Sequence, residues 1–322
     1  MLKAVEQQSF RVMNRGYNDV FKSNRLSVGL VVPIERYDSS AVPPMTEHVA
    51  RVQLAERLGF AAVWLRDVPF NVPSFGDAGQ IYDPFVYLGL LAGQTRDIAL
   101  GVASIVLPLR HPAHVAKAAA SADALSGGRL ILGIASGDRP EEYPAMALPF
   151  ADRGERFRAS FDYIRNMSEC APSTHNSYGT VDRGLDMLPK PTAGDLPLLI
   201  TGSSQQSPEW LAQHGDGWMT YPRHAVDQAR VIQDWRARIV AAGVQAKPVM
   251  QPLYVDLLED SKAPAQPIHL GFRSGTQALK AYLASLEDIG INHVALNLRF
   301  NCSDIKDTLQ RLADDILPDF AR

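Results

Sequence analysis

The sequence predicts an α/β fold, a closed (β/α)8 TIM barrel with insertions and an N-terminal arm, from three observations. Short β-rich runs alternate with amphipathic helical windows from Leu26 onward. Gly or Pro marks each change of period, and the count reaches eight strands and eight helices without a topological reversal. One barrel domain therefore spans 26–322, preceded by an arm over 1–25, with insertions near 171–196 and 259–274.

LSVGLVV from Leu26 is the first strand. The helix after it takes Thr46 as N-cap, carries Val49, Val52, Leu54 and Leu58, and stops at Gly59. AAVWL from Ala61 is the second strand. PFVYLGLLAGQT opens with Pro84 in its first turn, where a missing N–H is harmless, and IALGVASIV from Ile98 is an apolar run suited to a strand covered on both faces. Pro112 opens the helix through VAKAAASADAL, Gly127 and Gly128 close it, and RLILGIA from Arg129 is the fourth strand. A helix around RFRASFDYIRNM precedes a polar stretch from Ala171 to Leu196 that reads as inserted. PLLITG, GWMTY, PVMQPLYVDLL and HVALNL complete the strands. Their helices are PEWLAQHG, the window from His224 to Ala242, QALKAYLASLEDIG and the segment from Ser303 to Leu317.

Of the 322 residues 46% are hydrophobic and 21% charged, enough apolar surface for a large core. Lys+Arg number 32 against 35 Asp+Glu, and no local run is basic, which excludes a phosphate-neutralising nucleic-acid groove. Cys170 and Cys302 are far apart and outside any C-x-x-C pair, so a reducing, cytoplasmic location is expected. The first residues have no signal-peptide core, and no run approaches the ~18 apolar residues of a membrane span.

Ligands of such barrels sit at the C-terminal ends of the strands. After the fifth strand, TGSSQQSPEW brings Thr201, Gly202, Ser203, Ser204 and Ser207 to a helix start near Pro208, either as a phosphate cradle or as a helix cap. After the fourth, Ser136, Gly137 and Asp138 precede Arg139, a donor set or an ordinary turn. Gly101, Ala103 and Ser104 end the third strand with small residues, leaving room for a flat ring or for tight packing. Trp64, Arg66 and Asp67 gather after the second, as a reactive group or a salt bridge, and Asp216, Trp218 and Tyr221 surround the sixth. No lysine ends a strand, which counts against a Schiff-base aldolase. Hydrolase-elbow, nucleotide-loop, dinucleotide and zinc signatures are missing, and His111 with His114 supplies too few ligands for a metal.

IALGVASIVLPLRHPAHVAKAAASADALSGGRLILGIASGD resembles the most recognisable segment of the bacterial luciferase-like family, the flavin- or deazaflavin F420-dependent oxidoreductases. AERLGFAAVWLRD and TGSSQQSPEWLAQHGDGW resemble further parts of it, so the likeness extends with gaps from Leu26 to Tyr221. The resemblance implies the same barrel. It places a flavin phosphate near Ser204 and Ser207, with help from Gly202 and Ser203, and the ring over Val102, Ala103 and Ser104, with a non-proline cis peptide between Val102 and Ala103. Ser136 stands where the luciferases carry a phosphate-binding arginine, with Gly137 beside it and Arg139 as the substitute. Arg66, Asp67 and Val68 stand where they carry a glutamate and the catalytic histidine, so light emission is not expected.

On this reading Arg66 and Asp67 are the candidate proton-handling or substrate-orienting residues, and Trp218 is a candidate cofactor contact. The expected activity is an FMN-dependent monooxygenation of a small organic substrate, with NAD(P)H or a partner flavin reductase as the source of electrons. F420-dependent hydride transfer and a non-catalytic flavin-binding barrel are the alternatives. The resemblance further implies a homodimer.

Overall fold

The computed structural model describes residues 9–182 and 184–320, so residues 1–8 of the expected arm and the last two residues of the domain lie outside it. In chain order the first half comprises α1 (Arg15–Val20), β1 (Ser27–Val31), α2 (His48–Leu58), β2 (Ala62–Leu65), α3 (Pro84–Gln94), β3 (Ala99–Val106), α4 (Pro112–Leu125), β4 (Leu130–Ala135), α5 (Glu142–Ala145) and α6 (Arg153–Asn166). Then come β5 (Thr174–Asn176), β6 (Gly179–Val181), β7 (Leu198–Thr201), α7 (Pro208–His214), β8 (Gly217–Met219), α8 (Ala225–Ala241), β9 (Val249–Leu257), β10 (Gln266–Ile268), β11 (Gly271–Ser274), α9 (Thr276–Asp288), β12 (His293–Asn297) and α10 (Ile305–Asp315).

The eight predicted strands are β1, β2, β3, β4, β7, β8, β9 and β12. They pair in parallel with their neighbours, and β8 against β9, through Trp218 opposite Val249 and Met219 opposite Met250, closes the cylinder. The two inserted regions hold antiparallel hairpins. β5–β6 stands alone, while β10–β11 joins the sheet through β11 beside β9 and carries His269 and Leu270 to the mouth.

Because strand side chains alternate, each strand feeds two cores. Val63, Leu65, Leu100, Val102, Leu132, Ile134, Leu198 and Ile200 point outward under the helices. Ala62, Trp64, Ala99, Ile131, Leu199, Met219, Met250 and Ala295 point inward. The inner set is narrow, and Gly101 shows why: a Cβ there would lie 2.2 Å from the Trp64 ring. Trp64 donates Nε1–H to His293 Nε2 at 2.8 Å, and His293 Nδ1 meets Ser27 Oγ at 2.7 Å. Beneath them the arm packs Met13, Tyr17, Val20 and Phe21 against the inner layer.

Helix ends follow the sequence with one correction. Pro84 and Pro112 occupy first turns, Ser207 caps α7, and Gly59 ends α2 at φ 93°. Thr46 is not the cap of α2; Glu47 holds that position in a left-handed conformation without a capping hydrogen bond. No helix among the described residues is long and apolar enough to cross a membrane.

Candidate active site

At the C-terminal end of the strands lies a cavity of about 710 Å³, a size suited to one cofactor and a small second molecule. Its base is made by the last inward residues of the strands, Val31, Ala103, Thr201, Met219, Met250 and Ala295. Apart from the Thr201 hydroxyl these are apolar, and Ala103 and Ala295 are small, so the base is largely apolar. β3 changes its pairing register between Val102 and Ile105, and there both Ala103 and Ser104 line the cavity. A non-proline cis peptide is present, but it joins Ala103 to Ser104, one residue later than the resemblance implies.

One wall is the turn after β7. Gly202, Ser204 and Gln205 have φ of 55°, 44° and 61°, left-handed values that turn successive backbone N–H groups toward one side. Ser204 Oγ donates to the Thr201 carbonyl at 2.8 Å and braces the turn. Among the described residues the N–H groups of Ser203, Ser204 and Gln205 have no protein acceptor. Facing this turn is the start of α6, where Gly154 packs so closely that a Cβ would lie 2.9 Å from Gln205 Cβ. Arg153, beside it, lines the cavity. Its guanidinium lies 3.8 Å from the Phe150 ring centroid and donates from Nη1 to the Phe150 carbonyl at 2.9 Å, while Nε has no partner.

Another wall is built on Asp77, in the loop after β2. Arg66 grips its carboxylate with two N–H donors at 3.0 and 2.9 Å, Arg299 Nη1 adds a third contact at 3.0 Å, and the Gly79 N–H a fourth at 2.9 Å. Burial alone would push the Asp77 carboxyl up; the Arg66 bonds and the two arginine charges hold it below the usual range. Arg139 completes this wall, donating from Nη2 to the Asp77 carbonyl at 3.1 Å and stacking on Phe75 at 4.4 Å.

Two ionisable groups at the cavity differ in kind. The Asp67 side chain is only 1% exposed and takes two bonds from Arg110, at 2.9 and 2.7 Å, and one from the Val106 N–H at 3.1 Å. Glu142 is buried without a hydrogen bond at Oε1, and burial pushes its carboxyl up to about 7, with Asp67 and Asp138 adding to the shift and Arg139 opposing it.

Of the residues expected from sequence, Arg66, Asp67, Ala103, Ser104, Ser136, Gly137, Arg139, Gly202, Ser203 and Ser204 line this cavity. Three do not. Val102 points outward into the helix-facing core. Ser207 accepts from the Trp210 N–H, which is the capping alternative. Trp218 stacks on Trp235 of α8 and donates to the Gly202 carbonyl at 2.9 Å, so it supports the turn from outside the barrel. The parity of GWM, with Met219 inside, carried that information. Asp77, Glu142, Arg153, Tyr254 and Arg299 also line the cavity; Tyr254, at even spacing from Met250 along β9, was readable, and the others come from loops and two helix starts.

Residues 26–285 match the family described as luciferase-like monooxygenase. An F420-dependent hydroxymycolic acid dehydrogenase of Mycobacterium tuberculosis (strain ATCC 25618 / H37Rv) is 29% identical over 222 residues, which span 67% of this chain and 58% of that protein. The crystal structure of monooxygenase RslO1 from Streptomyces bottropensis superposes with a TM-score of 0.75 at 18% identity, covering 92% of this chain and 100% of that one. The oxygenating constituent of 3,6-diketocamphane monooxygenase from Pseudomonas putida, a type II Baeyer-Villiger monooxygenase in complex with FMN, gives 0.73 at 13% identity, covering 91% and 98%. At such identities these two structures speak for the fold alone.

Proposed function

Since the chain belongs to the luciferase-like monooxygenase family, we propose that it is an FMN-dependent monooxygenase acting on a small organic substrate at the mouth of the barrel. The observation that carries this reading is the pairing of Arg153, a cation without an ion-pair partner among the described residues, with the free N–H groups of Ser203, Ser204 and Gln205. Together they suit one phosphate. Beyond Gln205 the surface continues into an open groove that carries Glu155 and Asp162 against Arg158, itself held by Gln206 at 3.0 and 2.7 Å. That balance disfavours a longer polyanionic tail, as F420 would present.

The residues fit the group in shape as well. Ala103 and Ser104 offer a flat surface for the ring, and Met219 and Met250 an adaptable one. Bound and reduced, FMN would supply two electrons to dioxygen, one oxygen atom entering the substrate and the other leaving as water. The protein's share is to orient and to exclude water. Arg66, clamped by Asp77, presents a fixed cation to the substrate. Asp67, with both oxygens engaged, acts as a positioning residue that locks the end of β3 through the Val106 N–H. Electrons would come from NAD(P)H or a separate flavin reductase. α3 exposes Val86 and Leu90 one turn apart, with Gly89 and Gly93 beside them, and we read this face as the contact of a homodimer; cross-linking at Gly93→Cys tests it.

Titrating the purified protein with FMN and with F420, followed by flavin and deazaflavin fluorescence, tests the cofactor. FMN is expected to bind and F420 to bind at least tenfold more weakly. Submicromolar F420 binding without FMN binding would overturn the proposal in favour of hydride transfer. Oxygen uptake that depends on added substrate distinguishes an enzyme from a pure binder.

A further inference from the structure

Around Asp77 and Arg139 the cavity is unevenly charged: Arg66, Arg139 and Arg299 line it against Asp77 and Asp138, while Asp67 is engaged by Arg110. Arg66 and Arg299 share the single carboxylate of Asp77, and Arg139 reaches only that residue's carbonyl. Among the described residues the one carboxylate within 4.0 Å of Arg139 is that of Glu142. Both line the cavity and both are deeply buried, at 8% and 2% exposure. Yet Arg139 Nη1 and Glu142 Oε1 stand 4.0 Å apart, and neither has a hydrogen-bond partner. That separation is too long for a bond between them, and buried polar atoms left unpaired in this way are exceptions that call for an explanation.

Building on the reading of this cavity as the flavin and substrate site, we propose that the substrate carries a carboxylate, one oxygen of which lies between Arg139 Nη1 and the carboxyl of Glu142. An oxygen at ordinary hydrogen-bond distance from each, about 2.8 Å, bridges a 4.0 Å gap. It accepts from the guanidinium on one side and from the protonated carboxyl on the other. A neutral hydroxyl would satisfy the same two atoms but leave the arginine surplus unbalanced. Phe75, stacked on Arg139, lends an apolar surface to the body of such a substrate.

Among the groups facing Glu142, burial and the charges of Asp67 and Asp138 favour its proton, while Arg139 and the Phe70 N–H oppose it. On its own loop are Arg139 and Asp138. From the end of β2 comes Asp67, engaged by Arg110, and from the loop after β2 the Phe70 N–H. Its neighbours are turned away, Glu141 accepting from Ser74 Oγ and Tyr143 donating to the Ser136 carbonyl. Burial raises the carboxyl to about 7, so below neutrality Glu142 is a donor to an incoming anion, and above it a repelling charge.

Benzoate and benzamide, alike in shape and different in charge, are the probes, titrated into the full-length chain by calorimetry. Benzoate is expected to bind at least tenfold more tightly than benzamide near pH 6, and to weaken toward about pH 8.5 as Glu142 ionises. Arg139→Gln removes the preference. Glu142→Gln keeps it but abolishes the pH dependence, and Arg153→Gln leaves both intact. Equal affinity for the two probes, a preference that survives Arg139→Gln, or one lost in Arg153→Gln instead would overturn the carboxylate site. If Arg139→Gln does not fold, the benzoate to benzamide ratio of the unaltered chain and the pH response of Glu142→Gln decide. FMN titration of the same samples separates the two readings: FMN binding without a benzoate preference rejects the carboxylate site alone, and the converse rejects the flavin.

Discussion

Arg129 and Arg153 are two barrel arginines that meet no carboxylate, and they sit at opposite ends of the molecule. At the N-terminal end Arg129 uses every nitrogen. Nε donates to Ser126, Nη1 to Thr95 Oγ1 and the Ile98 carbonyl, and Nη2 to the carbonyls of Ala92 and Thr95. It thus ties down the last carbonyls around the ends of α3 and α4, where a cation is favoured. At the mouth Arg153 makes one such bond and leaves Nε without an acceptor. One guanidinium completes a structure; the other is held ready by a ring and a carbonyl. A satisfied buried cation belongs to the architecture, and the unsatisfied one beside the cavity is the one the proposed phosphate site would use.

The largest test of this contrast is Arg129→Met, which orphans several buried acceptors at once. It should lower unfolding stability by roughly 3 kcal/mol or more, read by urea denaturation, without altering FMN affinity in the protein that remains folded. Arg153→Met should do the reverse. The loss of a charge-assisted contact weakens FMN binding by about 1.5–3 kcal/mol, near ten- to hundredfold, while stability moves by no more than ~0.5 kcal/mol. Equal effects of the two substitutions on both readouts would erase the distinction.

The two ends should also answer pH in opposite directions. Complete burial lowers His293 from 6.5 to about 3, so the folded state refuses a proton that the unfolded chain accepts. Its contribution is intact above about 6.5 and falls by up to about 1.4 kcal/mol per pH unit on the way down to about 3. Glu142 is raised from 4.5 to about 7, so its contribution is lost as pH rises through that interval. His293→Gln should flatten the acid limb of a stability profile, and Glu142→Gln should be the more stable protein above pH 7, by an amount on the order of 1–2 kcal/mol. The smallest effect belongs to Ser207→Ala, which removes the α7 cap for about 1 kcal/mol and should leave FMN affinity unchanged. A tenfold loss of FMN binding there would restore Ser207 to the phosphate site.

The architecture was almost wholly legible, because apolar runs of strand length alternate with helical periods and Gly59, Pro84, Pro112, Gly127 and Gly128 punctuate them. The site was legible by halves. Small residues at the end of β3 and the serine turn after β7 can be read from position alone, since a strand end fixes where they stand. Val102 and Trp218 were misassigned although the period of two places Ala103 and Met219, their neighbours, inside. Arg153, Asp77 and Glu142 had no such signal. They approach the cavity from two helix starts and a loop whose positions depend on contacts far apart in sequence, such as Gly154 against Gln205 and Asp77 against Arg299.

The arm beneath the barrel has a kinetic consequence. Met13, Tyr17, Val20 and Phe21 stopper the floor, so among the described residues the cavity opens at the C-terminal mouth of the barrel. If a flavin and a substrate share that mouth as proposed, they form a queue: the molecule whose ring rests on Ala103 and Ser104 would arrive first and leave last, so turnover would be ordered by plumbing before any chemistry begins.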